Sequence, residues 1–82
     1  MTDAIRGVLA THARLSVPAD AIADDMNLYD AGMTSLASVT VMLALEETFD
    51  VEFPERMLRK ATFSSVAAIR QAVAELTTAS TV

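Results

Sequence analysis

Ser35 is the residue whose setting most invites chemistry. It follows the run Asp30-Ala31-Gly32-Met33-Thr34, which reads as a turn leading to a helix start, and it precedes an apolar helical segment. Gly32 supplies backbone freedom in that turn, and Thr34 can cap the orphan amides that follow. A hydroxyl at this point stands among exposed N–H groups at the positive end of a helix dipole, where a phosphate ester would be favoured. Met33, Leu36 and Val39 offer apolar surface beside it. The same placement also suits a serine that merely caps or opens a helix, because serine is common there. Spacing alone leaves both readings open.

Few other residues could join a reacting constellation. The chain has no Cys and one His, His12. That excludes thiolate zinc sites and disulfide frameworks, and any thiol chemistry would need a borrowed thiol. A hydrolase assembled from Ser35, His12 and an Asp lacks the G-x-S-x-G setting, and His12 falls on the apolar line of its own helix. Asp25, Asn27, Asp30 and Gly32 suggest a calcium loop, but the spacing departs from the EF-hand pattern and Leu36 occupies the terminal ligand position. Neither a catalytic residue nor a metal site is expected.

The elements that would position Ser35 can be read from periodicity and punctuation. With two Gly, two Pro and an abundance of Ala and Leu, the chain favours an all-α domain. A first helix is predicted over residues 2–14, with Ile5, Val8, Leu9 and His12 on one face and Pro18 beyond its end. Residues 16–34 form a long connection in which Val17, Ile22, Met26, Leu28 and Tyr29 are expected to pack on the bundle. The second helix, residues 35–49, carries two apolar lines: Leu36, Val39, Leu43 and Glu46 on one, Val41, Leu45 and Phe49 on the other. A helix so broadly apolar should sit centrally and still show some apolar surface. Pro54 opens a short third helix over 54–59. Thr62 or Ser64 caps a last helix over 65–76, with Val66, Ile69, Val73 and Leu76 inward, and the tail 77–82 should fray. The sum is one small four-helix bundle, three main helices and one short, forming a single domain over 1–82.

Composition bounds the function. The 82 residues carry eleven acidic and six basic side chains, a net charge of −5, which argues against a nucleic-acid binder. Acidic residues gather at Asp20, Asp24, Asp25 and Asp30 and again at Glu46, Glu47, Asp50 and Glu52, where mutual repulsion is expected; Arg56, Arg59 and Lys60 form a short basic cluster. The longest apolar run, Val41-Met42-Leu43-Ala44-Leu45, is far too short to span a membrane. No basic-then-apolar leader opens the chain, so a soluble, monomeric, cytoplasmic protein is expected.

The stretch DAGMTSL, followed by VMLALEETFDVEFPE and ATFSSVAAI, resembles the acyl carrier protein family in order and spacing, without gaps over residues 30–69. The resemblance implies an acyl-carrier-like helical fold and no enzymatic activity of its own. It further implies that Ser35, the serine before the first leucine of the second helix, receives 4′-phosphopantetheine from coenzyme A through a Mg²⁺-using phosphopantetheinyl transferase. Acyl groups would then ride on the arm as thioesters. In the family Phe49, Phe53, Leu45, Val51 and Ile69 would line an expandable acyl cleft; from the residues alone they are core.

The sequence also departs from the family pattern. Thr34 stands where the family usually has Asp, and Ala37, Ser38 and Thr40 occupy usually acidic places. Arg56, Arg59 and Lys60 replace a typically acidic short helix. This neutral second helix after GMTS is similar to carriers loaded with amino acids by synthetase-like ligases. Docking of the acyl- or aminoacyl-loading enzyme is expected on Met33, Leu36, Val39, Arg56, Arg59 and Lys60. The rival from another class is an unmodified helical module that only docks other proteins.

Overall fold

The computed structural model describes every residue except 1, 17, 19, 20 and 80–82, with backbone alone at 78 and 79. The element order is α1 (Thr2–His12), α2 (Ser35–Phe49), two 3₁₀ helices (Glu55–Met57 and Lys60–Phe63) and α3 (Val66–Ala79). Among the described residues there is no strand, and the chain is all-α.

The helix α1 buries Ile5, Val8 and Leu9 of the predicted face, while His12 is only half-buried. It ends two residues before the predicted limit. Arg14 adopts a left-handed φ of 55°, which turns the chain so that Leu15 packs against the core. The Ser16 N–H and hydroxyl then both donate to the Ala31 carbonyl, each at 2.8 Å. This closes the long connection upon itself at its two ends. Gly32 lies against that closure with φ +115°, and a Cβ there would meet the Ser16 nitrogen at 3.1 Å. Glycine is required twice over, by conformation and by space.

The connection is strapped to the helices. The Leu28 N–H donates to the Ser64 carbonyl at 2.7 Å, and the Ala67 N–H donates to the Asp24 carbonyl at 2.9 Å. Ile22 and Leu28 are buried as expected, whereas Met26 is exposed; Val17 lies outside the described residues.

The bounds of α2 coincide with the predicted ones. Its inward stripe is Ala37, Val41 and Leu45, with Met42, Ala44 and Phe49 partly buried. The other predicted line, Leu36, Val39 and Leu43, is 79%, 49% and 55% exposed. A bundle this small has neighbours for only part of a helix's circumference. At the C-terminal end Asp50 takes a left-handed conformation, φ 52° and ψ 51°, and its N–H donates to the Glu46 carbonyl. The Glu46 carboxylate then accepts from the Phe53 N–H at 2.8 Å.

The predicted helix over 54–59 is corrected. Two 3₁₀ turns replace it, separated by Leu58 at φ −82°, ψ 62° and an extended Arg59; Pro54 precedes the first turn in an extended conformation. The reason lies in Met57 and Phe63, both buried. On one continuous α-helix six residues of separation would put them roughly 120° apart, and breaking the helix lets both reach the core. Phe63 packs edge-on to Phe53, ring centroids 5.3 Å apart. Ser65, not Thr62 or Ser64, caps α3 by accepting from the Ala68 N–H at 3.0 Å. Val66, Ile69 and Val73 face inward, while Leu76 is partly buried. The helix runs on to Ala79, three residues past the predicted limit; residues 80–82 of the expected frayed tail lie outside the described set.

Candidate functional site

The start of α2 divides labour between adjacent hydroxyls. Thr34, extended at φ −84° and ψ 166°, is the N-cap, and its Oγ1 accepts from the Ala37 N–H at 3.0 Å. Ser35 is the first helical residue and is exposed. Its carbonyl accepts from the Ser38 hydroxyl at 2.6 Å, but its own hydroxyl has no hydrogen-bond partner among the described residues. Thr34 and not Ser35 therefore caps α2, and Ser35 opens the helix with its hydroxyl unengaged. No carboxylate occupies the first turn of α2, so nothing there opposes a phosphate ester.

Ser35 borders an open groove of about 350 Å³. One wall is α2, through Ser35, Ser38, Val39 and Met42. The other is the broken 3₁₀ segment, through Leu58, Arg59, Lys60 and Phe63, with Tyr29 from the long connection closing one end. The Lys60 ammonium lies 4.7 Å from the centroid of the Tyr29 ring, a cation–π contact. The break at Leu58 is what brings an apolar residue and two cations beside α2.

Several predicted residues fall elsewhere. Met33, expected as a docking contact, is only 2% exposed. It is corrected to a core residue beneath the turn that precedes α2, while Leu36 and Val39 stay at the surface. Arg56 is separated from its neighbours in sequence, its guanidinium paired with Glu75 of α3 at 3.1 Å. His12 lines a different groove with Glu47 and Thr48, so it does not border the Ser35 groove and no triad forms. Asn27 is consumed by its own turn, Oδ1 accepting from the Tyr29 and Asp30 N–H groups at 2.9 and 3.2 Å. Among the described residues no cluster of His, Cys, Asp or Glu could hold a metal, and no helix is long and apolar enough to cross a membrane.

Sequence reasoning missed Tyr29 as a groove residue and Asp24 as a structural hub. Asp24 accepts from Arg6 at 2.6 Å and from Arg70 at 3.4 Å. Hydrogen bonding to Arg6 in particular holds its carboxyl below the usual range, burial opposing only in part. The only signal for Tyr29 was its type, a ring with a polar tip among otherwise aliphatic loop residues.

The described residues thus place one unengaged hydroxyl at a helix start, bordering the groove between α2 and the 3₁₀ segment. The chain belongs to the phosphopantetheine attachment site family, which matches residues 3–73. It is therefore a carrier whose group is covalent 4′-phosphopantetheine, and it is not an enzyme. It is 47% identical to an aminoacyl carrier protein of Agrobacterium fabrum over 73 residues, 89% of this chain and 88% of that one. It superimposes with a TM-score of 0.88 and 46% identity on a chain from the crystal structure of an engineered Bradyrhizobium japonicum glycine:carrier protein ligase complexed with an Agrobacterium tumefaciens carrier protein and AMP, covering 90% of this chain and 99% of that one. A second match, TM-score 0.74 and 27% identity over 87% of this chain and 95% of the other, comes from the Bradyrhizobium japonicum ligase complexed with glycylated carrier protein.

Proposed function

We propose that Ser35 bears the phosphopantetheine arm and that its cargo is an amino acid, delivered by an amino acid:carrier protein ligase. The observation that carries this is the exposed Ser35 hydroxyl, left without a partner because Thr34 supplies the helix cap. In the attachment step the Ser35 oxygen would displace the adenosine bisphosphate half of coenzyme A, forming a phosphodiester and losing its proton to the transferase. The chain contributes a nucleophile at a helix N-terminus that favours the resulting anion. The arm supplies the thiol that this Cys-free chain lacks, and the tether raises the local concentration of cargo at each partner.

The amino acid cargo is favoured by the surface as well as by the similarity. Without carboxylates in the first turn of α2, a partner with a basic patch finds little to hold. Leu36 and Val39 instead form exposed apolar contacts. A location where coenzyme A and ATP meet, the cytoplasm, belongs to the same proposal. The test is incubation with coenzyme A and a broad-specificity transferase, followed by intact-mass analysis and then loading with fatty-acid or amino acid activating enzymes. One addition in wild type, none in Ser35→Ala, and thioester formation with an amino acid ligase is the expected outcome. Unmodified wild type would leave an interaction module, and efficient loading by fatty-acid enzymes alone would make the cargo an acyl chain.

A further inference from the structure

We propose that Arg59 and Lys60 clasp the phosphodiester at Ser35, so that the arm lies against the groove between α2 and the 3₁₀ segment and does not hang free in solvent. The inference rests on Ser35 as the attachment residue. It begins from charge accounting. The chain has eleven acidic side chains and only six basic ones, so a cation has ample opportunity to find a carboxylate. Arg6, Arg56 and Arg70 do so. Arg14, Arg59 and Lys60, all exposed, form no ion pair among the described residues, and of these three Arg59 and Lys60 line the groove that Ser35 opens.

Lys60 is held in place without being neutralised. Its ammonium rests on the face of Tyr29, a contact that fixes position and leaves donors for an anion. A phosphodiester on Ser35 would enter at the one place where the α2 amides and two unmatched cations converge. Exposed ion pairs are individually weak, but covalent attachment supplies an effective concentration on the order of millimolar or more. Beyond the cations, Val39, Met42, Leu58 and Phe63 give the aliphatic part of the arm an apolar bed. An aminoacyl ammonium at the tip would stay in water, because burying it there is costly.

The isolated carrier, with no enzyme present, tests this. The chain has one Tyr and no Trp, so its emission reports Tyr29 alone. The ¹⁵N-labelled protein is converted with coenzyme A and transferase, conversion is verified by mass, and wild type is compared with Arg59→Gln/Lys60→Gln and with Arg59→Lys, folding being checked by melting. The expected result is that conversion shifts the amide signals of Tyr29, Arg59 and Lys60, changes Tyr29 emission and broadens the ³¹P line. The double variant should lose most of each change while Arg59→Lys keeps it. Shifts confined to residues 34–38, or unchanged in the double variant, would overturn the clasp and leave the two cations to an acidic partner protein. Absence of any mass addition would overturn the attachment reading and the clasp together, an outcome distinct from modification without a shift.

Discussion

At the scale of single residues, the turn into α2 shows how two neighbouring hydroxyls can have unlike energetics. Thr34 satisfies an orphan amide of α2, a contribution of about 1 kcal/mol in comparable helices. Ser35 satisfies none. Thr34→Ala is therefore expected to lower unfolding free energy by about 1 kcal/mol, and Ser35→Ala by a few tenths at most, both read from urea denaturation at neutral pH. Equal losses would mean that the Ser35 hydroxyl shares the cap, which would weaken its reading as the free nucleophile. This division was half legible in the sequence. Gly32, Thr34 and Ser35 announce a turn, a cap and a helix start by type alone. That Met33 points into the core while Leu36 points out depends on the crossing of α2 over α1, and neighbouring residue types do not encode it.

At the scale of elements, local punctuation separates what could be read from what could not. The bounds of α2 were legible because a capping residue precedes it and the polar pair Glu47 and Thr48 with Asp50 closes it. The segment after Pro54 was not, because Met57 and Phe63 reach the core only if the helix breaks, a demand imposed by tertiary packing. The end of α2 also stores a correctable cost. Asp50 holds a left-handed conformation that non-glycine residues adopt at about 1 kcal/mol, and its carboxylate lies at the negative end of the helix dipole. Asp50→Gly is expected to stabilise the protein by ~0.5–1 kcal/mol, with Asp50→Asn giving a smaller gain by removing charge alone. Both are measurable as midpoint shifts in denaturant. A loss of stability in the glycine variant would show that chain entropy outweighs the relieved strain.

Across the whole molecule, one ion-pair hub ties acid stability to a single loop carboxylate. Asp20, Asp24, Asp25 and Asp30 read in sequence as a repelling group; Asp20 lies outside the described residues, and Asp24 is corrected from repelling charge to tether. Its carboxylate joins Arg6 of α1 and Arg70 of α3, while Arg6 also donates to the Ile22 carbonyl at 2.7 Å and the Asp24 carbonyl accepts from Ala67. One loop residue thus links the first helix, the long connection and the last helix. Because Arg6 and Arg70 hold the folded-state pKa of Asp24 below its ordinary value, the folded form binds its proton less readily than the unfolded chain. The resulting stability is fully present above the unfolded value of about 4 and drains away as pH falls toward the folded value. The separable observable is a difference between variants. Asp24→Asn is expected to melt below wild type at pH 7, with the gap narrowing steadily below about pH 4 as wild type loses the same contact by protonation. Melting curves followed by circular dichroism from neutral pH into the acid range measure that gap. Two parallel curves would mean that Asp24 is a solvated surface charge and that backbone bonds alone strap the connection to α1 and α3.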